Sequence, residues 1–120
     1  MSQPLVLLVD DDELVAQAIE EVLSLLGFTV VWARTAEEGW SRFCGCQPDV
    51  VMTDNSMPDM SGLELARRIR EVSPQAMVVM LSAIPPPEAD CVCDLVLSKP
   101  VRLAALREGL CRIGVLSGNA

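Results

Sequence analysis

The 120-residue sequence has no histidine and no tyrosine, and its only aromatic residues are two phenylalanines and two tryptophans. With 51 % hydrophobic residues, its core must be aliphatic. No apolar run approaches the roughly 18 residues that a membrane-spanning helix needs. The N-terminus lacks the basic flank of a signal peptide. Positive charge is also scarce: nine Lys and Arg face 17 Asp and Glu, for a net charge of −8. That balance argues against a nucleic-acid surface, which needs clustered Lys and Arg. These absences leave a soluble, cytoplasmic domain whose ligands are cations or other proteins. The length suits one domain, expected over 1–116 with a frayed tail at 117–120, able to bury a core without cross-links.

Cysteine is comparatively plentiful, at Cys44, Cys46, Cys91, Cys93 and Cys111. An odd number without an export signal reads as reduced thiols. C-x-x-C is the commoner zinc spacing, whereas both pairs here are C-x-C and histidine is missing. The cysteines are therefore read as small buried hydrophobes.

Strands and helices alternate along the chain. "PLVLLV" (4–9) is a continuous apolar run of the kind buried on both faces of a sheet. "ELVAQAIEEVLSLLG" follows, with a helical stripe at Leu14, Val15, Ala18, Ile19, Val22, Leu23 and Leu26 and Gly27 as its stop. "FTVVWA" (28–33) predicts a second strand. Thr35 with Glu38, and Ser61 with Glu64, are capping-box pairs that open two further helices. Between them lie the strand "DVVMT" (49–53) and the loop "DNSMPDM". The helix "GLELARRIREV" carries its stripe at Leu63, Leu65, Ala66 and Ile69. "AMVVML" (76–81) and "DLVLS" (94–98) are strands, and "VRLAALREGLCRI" (101–113) is the last helix. Between 84 and 93, three consecutive prolines leave room for only a short turn near 88–92.

Five short apolar strands separated by amphipathic helices imply an α/β fold, a parallel sheet covered on both faces. Ligands of such sheets bind beyond the carboxyl ends of the strands. The residues there are Asp10, Asp11 and Asp12 after the first strand, Asp54 after the third, Ser82 after the fourth and Lys99 after the fifth. Adjacent carboxylates repel one another unless something positive lies between them. Carboxylate and backbone oxygens suit Mg²⁺, which would neutralise part of that charge. A carboxylate can also attack phosphorus, with a cation and a lysine balancing the charge.

The pieces "VDDDE", "DVVMTDNSMPDMSGLEL", "MLSA" and "LSKP", in this order and at strand ends, resemble the receiver domain of a two-component response regulator or hybrid histidine kinase. The likeness covers residues 4 to 113. The D-x-x-M-P-x-M-x-G pattern from Asp54 to Gly62 is its most specific part. The resemblance implies a flavodoxin-like sheet of order 2-1-3-4-5, with the fourth helix here short or absent. It implies Asp54 as phosphoryl acceptor, and Mg²⁺ or Mn²⁺ held by Asp10, Asp11, Asp54 and the Ser56 backbone carbonyl. Ser82, Ala83 and Lys99 would bind the phosphoryl group. Pro58 and Gly62 would shape the loop, Gly62 by a conformation closed to other residues, and Lys99–Pro100 would be cis. The implied partners are a sensor histidine kinase or histidine phosphotransfer protein and a downstream protein or tethered effector, with no nucleic acid or membrane.

Individually these residues have plainer readings. Asp12 caps the first helix, Asp54 could be a turn former, and Ser82 and Lys99 could be solvated surface residues. A pseudo-receiver acting only as an interaction module is the main alternative. A phosphatase with an aspartyl-phosphate intermediate is another, but 120 residues leave no room for its cap insertion. Two departures from the family pattern stand out. Only 17 steps separate Ser82 from Lys99, and Val96 occupies the place of the usual aromatic switch residue.

Overall fold

The computed structural model describes residues 3–115, without the side chains of Asp90 and Cys91. The tail expected at 117–120 lies outside the described residues. Five parallel strands, β1 (Leu5–Val9), β2 (Thr29–Ala33), β3 (Val50–Asp54), β4 (Met77–Ser82) and β5 (Leu95–Ser98), form one sheet in the order 2-1-3-4-5. The intervening helices are α1 (Glu13–Leu25), α2 (Ala36–Cys46), α3 (Gly62–Val72), α4 (Ala89–Val92) and α5 (Leu103–Arg112). α4 is a single turn of four residues where the proline run allows no more.

The strands are apolar along their length because alternate residues enter two separate cores. Leu7, Val9, Val51, Val78 and Met80 pack against α2, α3 and α4. Val6, Leu8, Val50, Met52, Val79 and Leu81 pack against α1 and α5. This two-sided burial is what a continuous apolar run means in a parallel sheet. On α3 the whole expected stripe is buried. On α1 the buried line is Ala16, Ile19 and Leu23, with Val15, Val22 and Leu26 beside it. Leu14 is 78 % exposed and Ala18 is exposed, contrary to the expected stripe, because α1 lays down a narrower face than its run of apolar residues suggests.

Local chemistry sets the helix ends. The Asp12 carboxylate accepts from the N–H groups of Leu14 and Val15, and Gly27 past the end of α1 takes φ +97°. Thr35 accepts from the Glu38 N–H at 3.0 Å, while Glu38 reaches back to the Arg34 N–H at 2.9 Å, one residue earlier than a capping box requires. The cysteine reading needs correction. Cys93 is buried and Cys111 is half-buried, but Cys44 and Cys46 are exposed on the outer side of α2 near its C-terminus.

Candidate functional site

The carboxyl ends of β1, β3, β4 and β5 meet at one rim of the sheet. Asp10, directly after β1, is fully buried although ionisable. Its Oδ1 accepts from the Asp12 N–H at 2.9 Å, and its Oδ2 accepts from Lys99 Nζ at 3.0 Å. Its N–H donates to the Ala33 carbonyl at 3.0 Å, and its carbonyl accepts from the Trp32 indole N–H at 2.9 Å. Asp54 is the last residue of β3, 8 % exposed, with Oδ1 3.5 Å from Lys99 Nζ. Asp11 is exposed, yet carboxylate oxygens of Asp10, Asp11 and Asp54 all lie within 4.8 Å of one another. The fifth strand's end is tied to the fourth by the Lys99 N–H, which donates to the Ser82 carbonyl at 3.1 Å. Lys99 is the only lysine in the chain.

Burial, and then the charge of Asp10, raise the Asp54 pKa above its usual value; the Lys99 ammonium and the Ser56 N–H oppose this without cancelling it. Burial by itself would lower Lys99. Its hydrogen bond to Asp10 and the charges of Asp10 and Asp54 outweigh that, so its pKa rises and the ammonium stays charged at neutral pH. Part of the acidic run's repulsion is therefore relieved by a lysine 89 residues away. A donor set of three carboxylates with no thiol or imidazole is consistent with a hard, oxygen-seeking divalent cation.

Ser82, the last residue of β4, is 4 % exposed, and Ala83 beside it is exposed. Ser56 and Pro58 are exposed in the loop after β3, where with Asp11, Asp59 and Glu64 they line an open cleft next to the acidic cluster. The Lys99–Pro100 bond is cis. Gly62 has the close-approach role rather than the conformational one expected of it. It starts α3 without a positive φ, but a Cβ there would stand 2.2 Å from the Asp54 carbonyl oxygen. Its N–H donates to the Asn55 carbonyl at 2.9 Å, closing the loop directly behind Asp54.

Three contributors escape a reading of the sequence. Trp32 holds the Asp10 carbonyl. Asp59 receives the N–H groups of Ala36 and Glu37, at 3.1 and 2.8 Å, and so joins the loop after β3 to the start of α2. Burial acts to raise Asp59, but these N–H groups and those of its own loop outweigh it and lower its pKa. Arg70 donates from Nε to the Val92 carbonyl and from Nη1 to the carbonyls of Pro74 and Ala76, and its Nη2 pairs with Asp94 at 2.5 Å. All three bridge elements distant in sequence, and nothing local marks them.

Comparison with known proteins agrees with this geometry. The family model of the response regulator receiver domain matches residues 6–110. The autoinducer 1 sensor kinase/phosphatase LuxN of Vibrio campbellii is 35 % identical over 111 residues, covering 89 % of this chain and 13 % of LuxN. The DNA-binding transcriptional regulator NtrC of Azospirillum brasilense is 32 % identical over 83 residues, covering 69 % of this chain and 17 % of NtrC. The chain thus spans only a small part of the length of these relatives. The receiver domain protein of Methanospirillum hungatei superposes with a TM-score of 0.87 at 25 % identity, covering 93 % of this chain and 94 % of that one. The response regulator TrrA of Thermotoga maritima, solved in complex with Mg(2+)-BeF, gives 0.86 at 26 % identity, covering 92 % and 98 %. With the family model spanning nearly the whole of the sheet and its helices, the chain belongs to the response regulator receiver domains of two-component signalling.

Proposed function

We propose that residues 1–116 form a single cytoplasmic receiver module that takes a phosphoryl group onto Asp54 from a sensor histidine kinase or histidine phosphotransfer protein and loses it by slow hydrolysis. It is a phosphoacceptor signalling domain rather than an enzyme with a separate substrate. The observation that carries this reading is Lys99 Nζ lying 3.0 Å from Asp10 and 3.5 Å from Asp54, beside three carboxylates that converge within 4.8 Å. The set pairs a nucleophile with the positive charge that its product requires.

In the transfer, an Asp54 Oδ forms a bond to phosphorus as the phosphorus–nitrogen bond to the donor imidazole breaks, and the leaving nitrogen takes up a proton. Asp10, Asp11, Asp54 and the Ser56 carbonyl would hold Mg²⁺ or Mn²⁺. When bound, that ion supplies charge neutralisation at the transferring group. Lys99, already charged, pairs with the phosphoryl oxygens once Asp54 is esterified. The Ser82 hydroxyl and the Ala83 N–H donate to the same oxygens. Pro58, Gly62 and Pro100 keep the surrounding loops in shape. The message then passes to a downstream protein or tethered effector, without contact to nucleic acid or membrane. LuxN and NtrC, with the functions their names state, are compatible with a receiver joined to either kind of larger protein.

Incubation with acetyl phosphate and Mg²⁺ should add one phosphate that is labile to base and hydroxylamine. Asp54→Asn should abolish the labelling. Mass spectrometry locating the phosphate on Ser56 or Ser82, or undiminished labelling of Asp54→Asn, would overturn the assignment.

A further inference from the structure

The second strand brings no carboxylate to the rim, yet its end touches the acidic turn on both sides of Asp10. The Asp10 N–H donates to the Ala33 carbonyl at 3.0 Å, as the parallel ladder dictates. The next ladder bond would bring an N–H from β2 to the Asp10 carbonyl. β2 has ended by then: it stops at Ala33, and the next residue whose N–H would face β1, Thr35, is already the N-cap of α2. A buried carbonyl left without a donor is costly, and Asp10 is fully buried. The indole N–H of Trp32 fills that place at 2.9 Å. Trp32 is itself held. Its ring packs against the core on the α1 side, and the Arg34 guanidinium lies 4.7 Å from its centroid, with Arg34 also 3.8 Å from Glu13 at the start of α1.

We propose that Trp32 is a positioning residue for the acidic turn, its indole N–H fixing the Asp10–Asp11 peptide and so the two carboxylates that would hold the divalent cation. The inference rests on the cation site proposed above. The peptide that accepts the indole bond joins the two acidic residues directly. Rotation of that peptide swings the Asp11 carboxylate, which is exposed and has less to hold it than Asp10 has. Groups that orient ligands in this indirect way typically change metal affinity tenfold or more when removed.

The test is an amide and indole NMR titration with Mg²⁺ of the parent, of Trp32→Phe, and of a parent in which residue 32 is replaced by β-(3-benzothienyl)alanine. The last keeps the ring shape and packing but has no N–H, so it reports on the hydrogen bond even where Trp32→Phe folds poorly. The parent should show saturable shifts at Asp11, Asn55 and the Trp32 indole N–H, and the benzothienyl protein should bind about tenfold more weakly. An unchanged midpoint in the benzothienyl protein, with the parent responding, would overturn the role of Trp32 while leaving the cation site standing. A parent with no response to Mg²⁺ would instead remove the cation site, and the inference with it.

Discussion

At the scale of single residues, the site sets two opposed electrostatic effects against each other. Lys99 gains charge stabilisation from Asp10 and Asp54, so its pKa is raised from 10.5. Its contribution to stability is full below that value and is lost as pH climbs through the higher folded-state one. Asp54 is the reverse case of the usual carboxylate. Burial and Asp10 raise its pKa from 3.8, so its ionised form is a liability in the folded state at pH 7. As pH falls through the raised value, native Asp54 binds a proton before the unfolded chain does, and the liability fades. Asp54→Asn should therefore be more stable than the parent at pH 7 in metal-free buffer. An effect on the order of 1 kcal/mol, typical of a single site, corresponds to about 4 °C in melting temperature for a domain of this size. The gap should narrow at pH 4.5. Thermal melts at the two pH values check it, and a variant less stable than the parent at pH 7 would show that the Lys99 contact outweighs burial.

At the scale of elements, what the sequence reveals depends on whether the cause is local. Helix starts at Asp12, Thr35 and Ser61 could be read directly, because each cap bonds within three residues of itself. The central strands β1, β3 and β4 could be read because burial on both faces leaves an unbroken apolar run, while the edge strands β2 and β5 are apolar though only partly buried. Leu14 misleads because an apolar side chain at the first turn of a helix looks the same in sequence whether or not a neighbour covers it. Arg70 is illegible for a related reason: "RRIRE" offers three arginines, and only tertiary structure selects the third. Its guanidinium joins the end of α3 to the end of α4 and the start of β5, and the Asp94 carboxylate that it pairs with also accepts the Val78 N–H at 2.8 Å. Arg70→Lys keeps the charge but cannot reproduce a planar fork that reaches several acceptors at once. It should cost about 2 kcal/mol in urea unfolding, since charged hydrogen bonds contribute about 1.5–3 kcal/mol each and water replaces part of what is lost at this partly exposed position. Faster hydrogen exchange should be confined to the corner from 89 to 95. A loss below about 0.5 kcal/mol would mean that solvent substitutes fully for the guanidinium.

At the scale of the whole molecule, the same features decide how far a change made at Asp54 can travel. Loop β3–α3 is coupled outward through Asp59 to the first N–H groups of α2, and loop β4–α4 begins at Ser82, one strand over from Asp54. The opposite corner is built to stay put. Arg70 fixes Val92 at the end of α4 and Asp94 just before β5, and α4 is one turn long. Val96, part-buried against the α2–α3–α4 core, is branched at Cβ and stiff, with no polar tip to follow a displaced hydroxyl. A ligand shifts a conformational equilibrium only by its differential affinity for the two states, and a stiff, apolar Val96 gives a phosphoryl group no polar contact to favour in β5. Modification of Asp54 should then move the loops after β3 and β4 and the start of α2, with little change from 94 to 113. Amide shifts with and without beryllofluoride and Mg²⁺ measure this directly. Large shifts across β5 and α5, or a modification-dependent dimer on that face, would show that the segment after the three prolines couples to the site despite its anchoring by Arg70.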